Sequence, residues 1–148
     1  MKMGAIVAQT SEENKNLIYD FGLNLGIAFQ IQDDFLDAFG NPETFGKQVG
    51  GDIIENKKTF LYLKALEFSN QKEKEQLLHL FSIQPSDNTD KINSVKEIFD
   101  KTGSSRETKK AIEYYTLKAF ETLERMQIKD DKKAILKAFG EKLMSRNV

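Results

Sequence analysis

The chain contains no cysteine and a single histidine, His79. That excludes disulfides, thiol nucleophiles and zinc sites built on Cys or His ligands, and leaves oxygen-ligated metals as the available metal chemistry. Only two prolines interrupt 148 residues, so few positions are forced out of a helix. No uninterrupted apolar run approaches the roughly 20 residues of a membrane span, and MKMGAIVAQT at the N-terminus lacks the charged, apolar and cleavage regions of a signal peptide. The expectation is a soluble, cytoplasmic protein with no membrane span. The formal net charge is -1, with 30% charged and 39% hydrophobic residues, which indicates neither disorder nor a bulk attraction to nucleic acid.

What is present is a series of helix formers. Apolar residues recur at helical spacing, and turn-forming residues cluster at 8–14, 39–51, 82–90 and 100–105. The pattern predicts an all-α helical bundle, one domain over residues 1–148. Thr10 followed by Glu13 has the form of a capping box, opening a helix through Leu17, Ile18, Phe21, Leu25, Phe29 and Leu36 to about Phe39. Asp52 followed by Glu55 repeats that form and predicts a second helix over DIIENKKTFLYLKALEF. Helical periodicity continues in KEKEQLLHLF, INSVKEIF, RETKKAIEYYTLKAFETLERM and KKAILKAFGEKLM. Residues 17–39 are apolar on nearly every side, which places that helix centrally with later ones outside it. The opening GAIVA run reads as the interior of an element. His79 reads as a surface histidine, and Tyr114, Tyr115, Phe120 and Phe139 as core packing.

The stretch FQIQDDFLD, residues 29–37, sets three carboxylates in an apolar run. On one helix Asp33, Asp34 and Asp37 fall within about 100° of arc, opposite the greasiest face. One and two turns earlier the same sector holds Leu23, Gly26 and Ile27, so it is not a uniformly solvated stripe and points to an internal hollow. Crowded carboxylates in such surroundings are costly unless a cation compensates them. Magnesium suits them: it takes oxygen ligands, often only one or two carboxylates, and keeps water or phosphate in its other positions. The competing reading is a solvated acidic helix end beside FGNP. An EF-hand is excluded, because DDFLDA lacks the glycine-containing ligand loop.

Directly after comes FGNPETFGKQVGGDIIENKKTFL. Gly46, Gly50 and Gly51 permit close backbone approach, Lys47 lies among them, and Asp52 is placed to cap a helix carrying Lys57 and Lys58 in its second turn. This is not a P-loop, since the order of glycines, lysine and hydroxyl residue is wrong. A flexible connector is one reading. The other is a site where a metal and lysines hold a polyphosphate between them.

Residues 26–61, GIAFQIQDDFLDAFGNPETFGKQVGGDIIENKKTFL, resemble the second aspartate-rich region of the trans-type polyprenyl (isoprenyl) diphosphate synthases, the farnesyl and geranylgeranyl diphosphate synthase group. The likeness joins an FQxxDDxxD core to a GK loop and a GDIxxNK segment, with KMGAIVA and YYTLKAFETLE extending it over most of the chain. It implies that Asp33, with Asp34 and Asp37, coordinates Mg2+ bridging to an allylic diphosphate. It further implies that Lys47 and Lys57 contact that diphosphate, that Gln30 lies beside the reacting allylic end and that Phe29 packs near the isopentenyl diphosphate. The implied reaction ionises the allylic diphosphate, lets the isopentenyl double bond attack and ends with proton loss. Lys58 and Asp52 enter as a helix-surface cation and a helix cap.

The sequence departs from the family pattern where a first aspartate-rich motif and a Lys-Thr pair belong. The chain therefore reads as the C-terminal half of an isoprenoid synthase fold, expected to lack turnover alone and to bind magnesium weakly. It is expected to self-associate as a homo-oligomer through apolar surface. A standalone helical module binding magnesium diphosphate or a partner subunit is the alternative. Product chain length is not encoded in the residues present.

Overall fold

A computed structural model describes residues 11–41, 43 and 49–145, so Thr10 and Lys47 lie outside the described residues. Among the described residues every regular element is helical, the all-α class the periodicity predicts. These are α1 (Glu12–Phe39), α2 (Gly51–Ile54), α3 (Phe60–Phe68), α4 (Gln71–Leu80), α5 (Thr89–Lys101), α6 (Ser104–Glu124) and α7 (Asp130–Met144). No helix among them is long and apolar enough to cross a membrane. Contacts gather into two compact units, one holding the described residues up to Gln30 and from Ala111 onward, the other Ile31–Lys110.

In the first unit the start of α1 is capped by Ser11, whose hydroxyl accepts from the Asn14 N–H at 3.1 Å. Leu17, Phe21 and Leu25 recur at i, i+4 and i+8 on α1 and are buried against Ala119, Leu123 and Met126. Each such large side chain contributes about 1.5–3 kcal/mol by leaving water. The Asn14 carboxamide closes this core from the edge, donating to the Gln127 carbonyl at 2.8 Å and accepting from the Gln127 N–H at 2.9 Å. The all-round burial expected of this helix is not what is found. Tyr19 and Leu23 each expose about half their surface (50% and 49%). With Gly22, Gly26, Phe139 and Leu143 they line an apolar hollow of about 380 Å³. Tyr114 and Phe139 are exposed as well, not core residues.

In the second unit the end of α1 buries Phe35 and Leu36 in a core with Leu61, Leu77, Val95 and Phe99. The Phe39 ring bridges Phe35 and Phe99 at centroid distances of 5.2 and 6.4 Å. Helix α4 opens with a full capping box between Asn70 and Glu73. Helix α5 turns Lys91, Val95, Ile98 and Phe99 inward. His79 is exposed, as its sequence context predicts.

One predicted helix is two. The segment from Asp52 to Phe68 breaks after a single turn, because Asn56 adopts a left-handed backbone (φ 58°) and ends α2. The Asn56 N–H donates to the Ile53 carbonyl at 3.1 Å and the Lys57 N–H to the Asp52 carbonyl at 2.8 Å. This is the Schellman pattern, and asparagine is one of the few side-chain-bearing residues that tolerates its left-handed position. Thr59 then starts α3, its hydroxyl accepting from the Tyr62 N–H at 3.4 Å.

Candidate functional site

Asp33, Asp34 and Asp37 all lie in the second unit, together with residues of the broken helix. Asp37 joins them through its main chain and its side chain. Its carbonyl accepts from the Gly50 N–H at 2.5 Å, and its Oδ2 accepts from the Asp52 N–H at 2.8 Å. Asp52 itself was expected to cap this helix. Instead Gly50 occupies the cap position with no side-chain hydrogen bond, and Asp37 supplies the missing acceptor from α1. Gly50 has φ +92°, and an added Cβ would lie 2.8 Å from Ile92 Cδ1 on α5. At Gly51 an added Cβ would stand 3.3 Å from Asp37 Oδ1. Gly51 lets the backbone close on the carboxylate, and Gly50 lets it pass Ile92 in a left-handed conformation.

Lys57, expected on a helix, lies in the loop after the Schellman turn. The turn sends its ammonium back over α2, 3.4 Å from Asp34 Oδ1 and 3.8 Å from Asp52 Oδ1. Asp34 is nearly buried at 8% exposure, whereas half of the Lys57 side chain remains in solvent. The Lys57 pKa is raised above its ordinary value, first by Asp34 and then by Asp52. Asp52 is pushed up to about 6, by burial first and by Asp37 next; Lys57 pulls it down, and Asp34 and Asp33 push it further up. Around Asp52 the negative field exceeds what Lys57 offsets, which is the condition under which a hard cation gains by binding.

Asp33, Asp34, Asp37, Asp52 and Lys57 are thus gathered in one unit, while Lys58 is exposed. Gln30 is exposed and Phe29 partly buried at the α1 end of the first unit. Asn56, which shapes the turn, and Lys91, which touches it, are not singled out by sequence reasoning. Among the described residues no group of three acidic or imidazole side chains is placed to hold an ion by itself. The donor set is nonetheless all oxygen. It fits magnesium in the mode where one or two carboxylates bind and phosphate oxygens and water complete the octahedron.

Comparison with known proteins first places the fold. The chain superposes on a geranylgeranyl pyrophosphate synthase crystal structure with a TM-score of 0.87 and 45% identity, over 99% of this chain and 46% of that one. A geranylgeranyl pyrophosphate synthase from Corynebacterium glutamicum, complexed with isoprenyl diphosphate and magnesium, matches with a TM-score of 0.83 and 27% identity. That match covers 97% of this chain and 41% of the synthase. The architecture is the all-α isoprenyl synthase fold.

Residues 1–99 match the Polyprenyl synthetase family, and the chain belongs to that family. The short chain isoprenyl diphosphate synthase of Methanothermobacter thermautotrophicus is 34% identical over 134 residues, 90% of this chain and 40% of the relative. The chain therefore spans less than half the length of these relatives.

Proposed function

We propose that this chain provides the aspartate and lysine face of a magnesium-dependent prenyl diphosphate site, serving the condensation of isopentenyl diphosphate with an allylic diphosphate. The observation that carries the reading is the Lys57 ammonium shared between Asp34 and Asp52 beside Asp37. Asp33, Asp34 and Asp37 would hold the Mg2+, which when bound neutralises diphosphate charge and eases departure of the leaving group. Lys57, half in solvent, can turn its N–H donors from the carboxylates to diphosphate oxygens, and Lys47 is assigned the same role. As the allylic C–O bond breaks, its electron pair leaves with the diphosphate. These cations stabilise that charge more strongly than the charge of the bound substrate, which is what accelerates the step. Gln30 and Phe29 are assigned to the allylic end and to the isopentenyl diphosphate. Attack of the isopentenyl double bond on the allylic cation forms the new C–C bond, and the released diphosphate, the base already in the site, takes the proton whose loss restores neutrality on carbon. No protein nucleophile enters, in keeping with a chain without cysteine.

The 148-residue polypeptide by itself is proposed to bind without turning over, since it spans less than half of its relatives. It is also proposed to self-associate, with a second copy covering the half-exposed Tyr19, Leu23 and Phe139. Titration calorimetry with inorganic pyrophosphate and magnesium chloride tests the site. Weak binding of magnesium alone and joint binding of the pair is expected, reduced by Asp34→Asn and Lys57→Ala. Absence of joint binding would remove the diphosphate reading and leave a structural helical bundle.

A further inference from the structure

We infer that Lys91 is a positioning residue for the candidate diphosphate site: its buried ammonium grips Asn56 and so fixes where Lys57 leaves the turn. The inference rests on reading Lys57 as a diphosphate contact. Lys91 stands on the inward stripe of α5 with Val95, Ile98 and Phe99, where an apolar residue would ordinarily sit, and is only 2% exposed. Its Nζ donates to Asn56 Oδ1 at 2.5 Å and to the Ile83 carbonyl at 2.8 Å. Asn56 Nδ2 reaches the same carbonyl at 3.4 Å, closing a triangle. Among the described residues no carboxylate forms an ion pair with Lys91, and burial alone holds its pKa below the ordinary lysine value. A lysine taken out of water for two neutral oxygens is an expensive way to fill a core. What it holds explains its presence.

Asn56 is the residue whose left-handed backbone ends α2, and the next residue is Lys57. A left-handed asparagine costs conformational energy that something around it must over-determine. Lys91 does so from beneath, and its neighbour Ile92 packs against Gly50 at the other end of α2. The first turn of α5 therefore clamps both ends of the segment that presents Lys57 to Asp34 and Asp52. Lys91 touches none of the acids and would act only through Asn56.

The test uses the 148-residue protein with magnesium pyrophosphate as probe and amide hydrogen exchange as a second readout. Lys91→Met and Asn56→Ala are each expected to weaken probe binding by about tenfold, the scale of one charge-assisted hydrogen bond. Asn56→Asp, which keeps both the acceptor and tolerance of the left-handed backbone, is expected to stay within about threefold of wild type. In a Lys57→Ala background, Lys91→Met should cost almost nothing further. Exchange of the Lys57 amide should quicken by about tenfold in Lys91→Met relative to the Thr102 amide at the end of α5. Should Lys91→Met fail to fold, the Asn56→Ala and Asn56→Asp pair decides. Wild-type protein that binds no pyrophosphate overturns the diphosphate reading. Unchanged Lys57 amide protection in folded Lys91→Met overturns the positioning role, as does Asn56→Asp binding no better than Asn56→Ala.

Discussion

The two faces of the turn at residues 55–57 use lysine in opposite ways. On one face Lys57 keeps half its side chain in water, lies between two carboxylates and has its proton held more firmly than usual. On the other, Lys91 is sealed in the core, meets only an amide and a carbonyl oxygen and has its proton loosened. A charge near solvent can be lent to a ligand because water takes over when the ligand leaves. A charge with no water to fall back on is committed to the fold. Thus Lys91 should govern stability and reach affinity only through Lys57, whereas Lys57 should govern affinity with little effect on stability.

The largest expected effect comes from Lys91→Ala, which strips Asn56 Oδ1 of its donor and leaves the Ile83 carbonyl only the Asn56 Nδ2 at 3.4 Å. A loss of about 3 kcal/mol in urea unfolding is expected. Should it cost no more than Lys57→Ala, the contrast between the two lysines fails. Gly50→Ala follows at about 2 kcal/mol, from a left-handed backbone and the Ile92 contact, read as a lowered urea midpoint at unchanged slope. Asp52→Asn sharpens the comparison through pH. Because the folded-state pKa of Asp52 is raised from 3.8 to about 6, its stabilising contribution is full below the unfolded value and is lost as pH rises through the folded one. Wild-type stability should therefore carry a downward component between about pH 4 and 6, and Asp52→Asn should flatten it. Smallest is the stability change in Lys57→Ala, under about 1 kcal/mol for a cation half in solvent, against a loss of about tenfold or more in pyrophosphate affinity.

The helical class was legible because period-3.6 patterning is local, and α1 ends at Phe39 where the residue pattern places it. Asp34 and Asp37 were legible as carboxylates lying among apolar neighbours. The break at Asn56 was not, since Asp52–Phe68 keeps helical spacing throughout and the Schellman turn is decided by which side chain is gripped from α5. Asp37 as the cap of α2 is likewise a long-range fact, bridging 15 positions. Lys91 did leave a signal: extending the stripe of Val95, Ile98 and Phe99 back one turn puts a lysine on an apolar face. The exposed Tyr19 and Leu23 escaped because hydrophobicity marks a surface that is to be covered without telling what covers it.

Asp37 ties one further consequence to this geometry. The same carboxylate assigned to the ion also marks the place where the next helix begins, through its Oδ2 and the Asp52 N–H. Altering that side chain to favour a different cation would move the start of α2, and with it the departure point of Lys57. For anyone seeking to re-engineer ion selectivity, Asp34 is tied to the loop through the Lys57 ammonium and Asp37 through the backbone that starts α2.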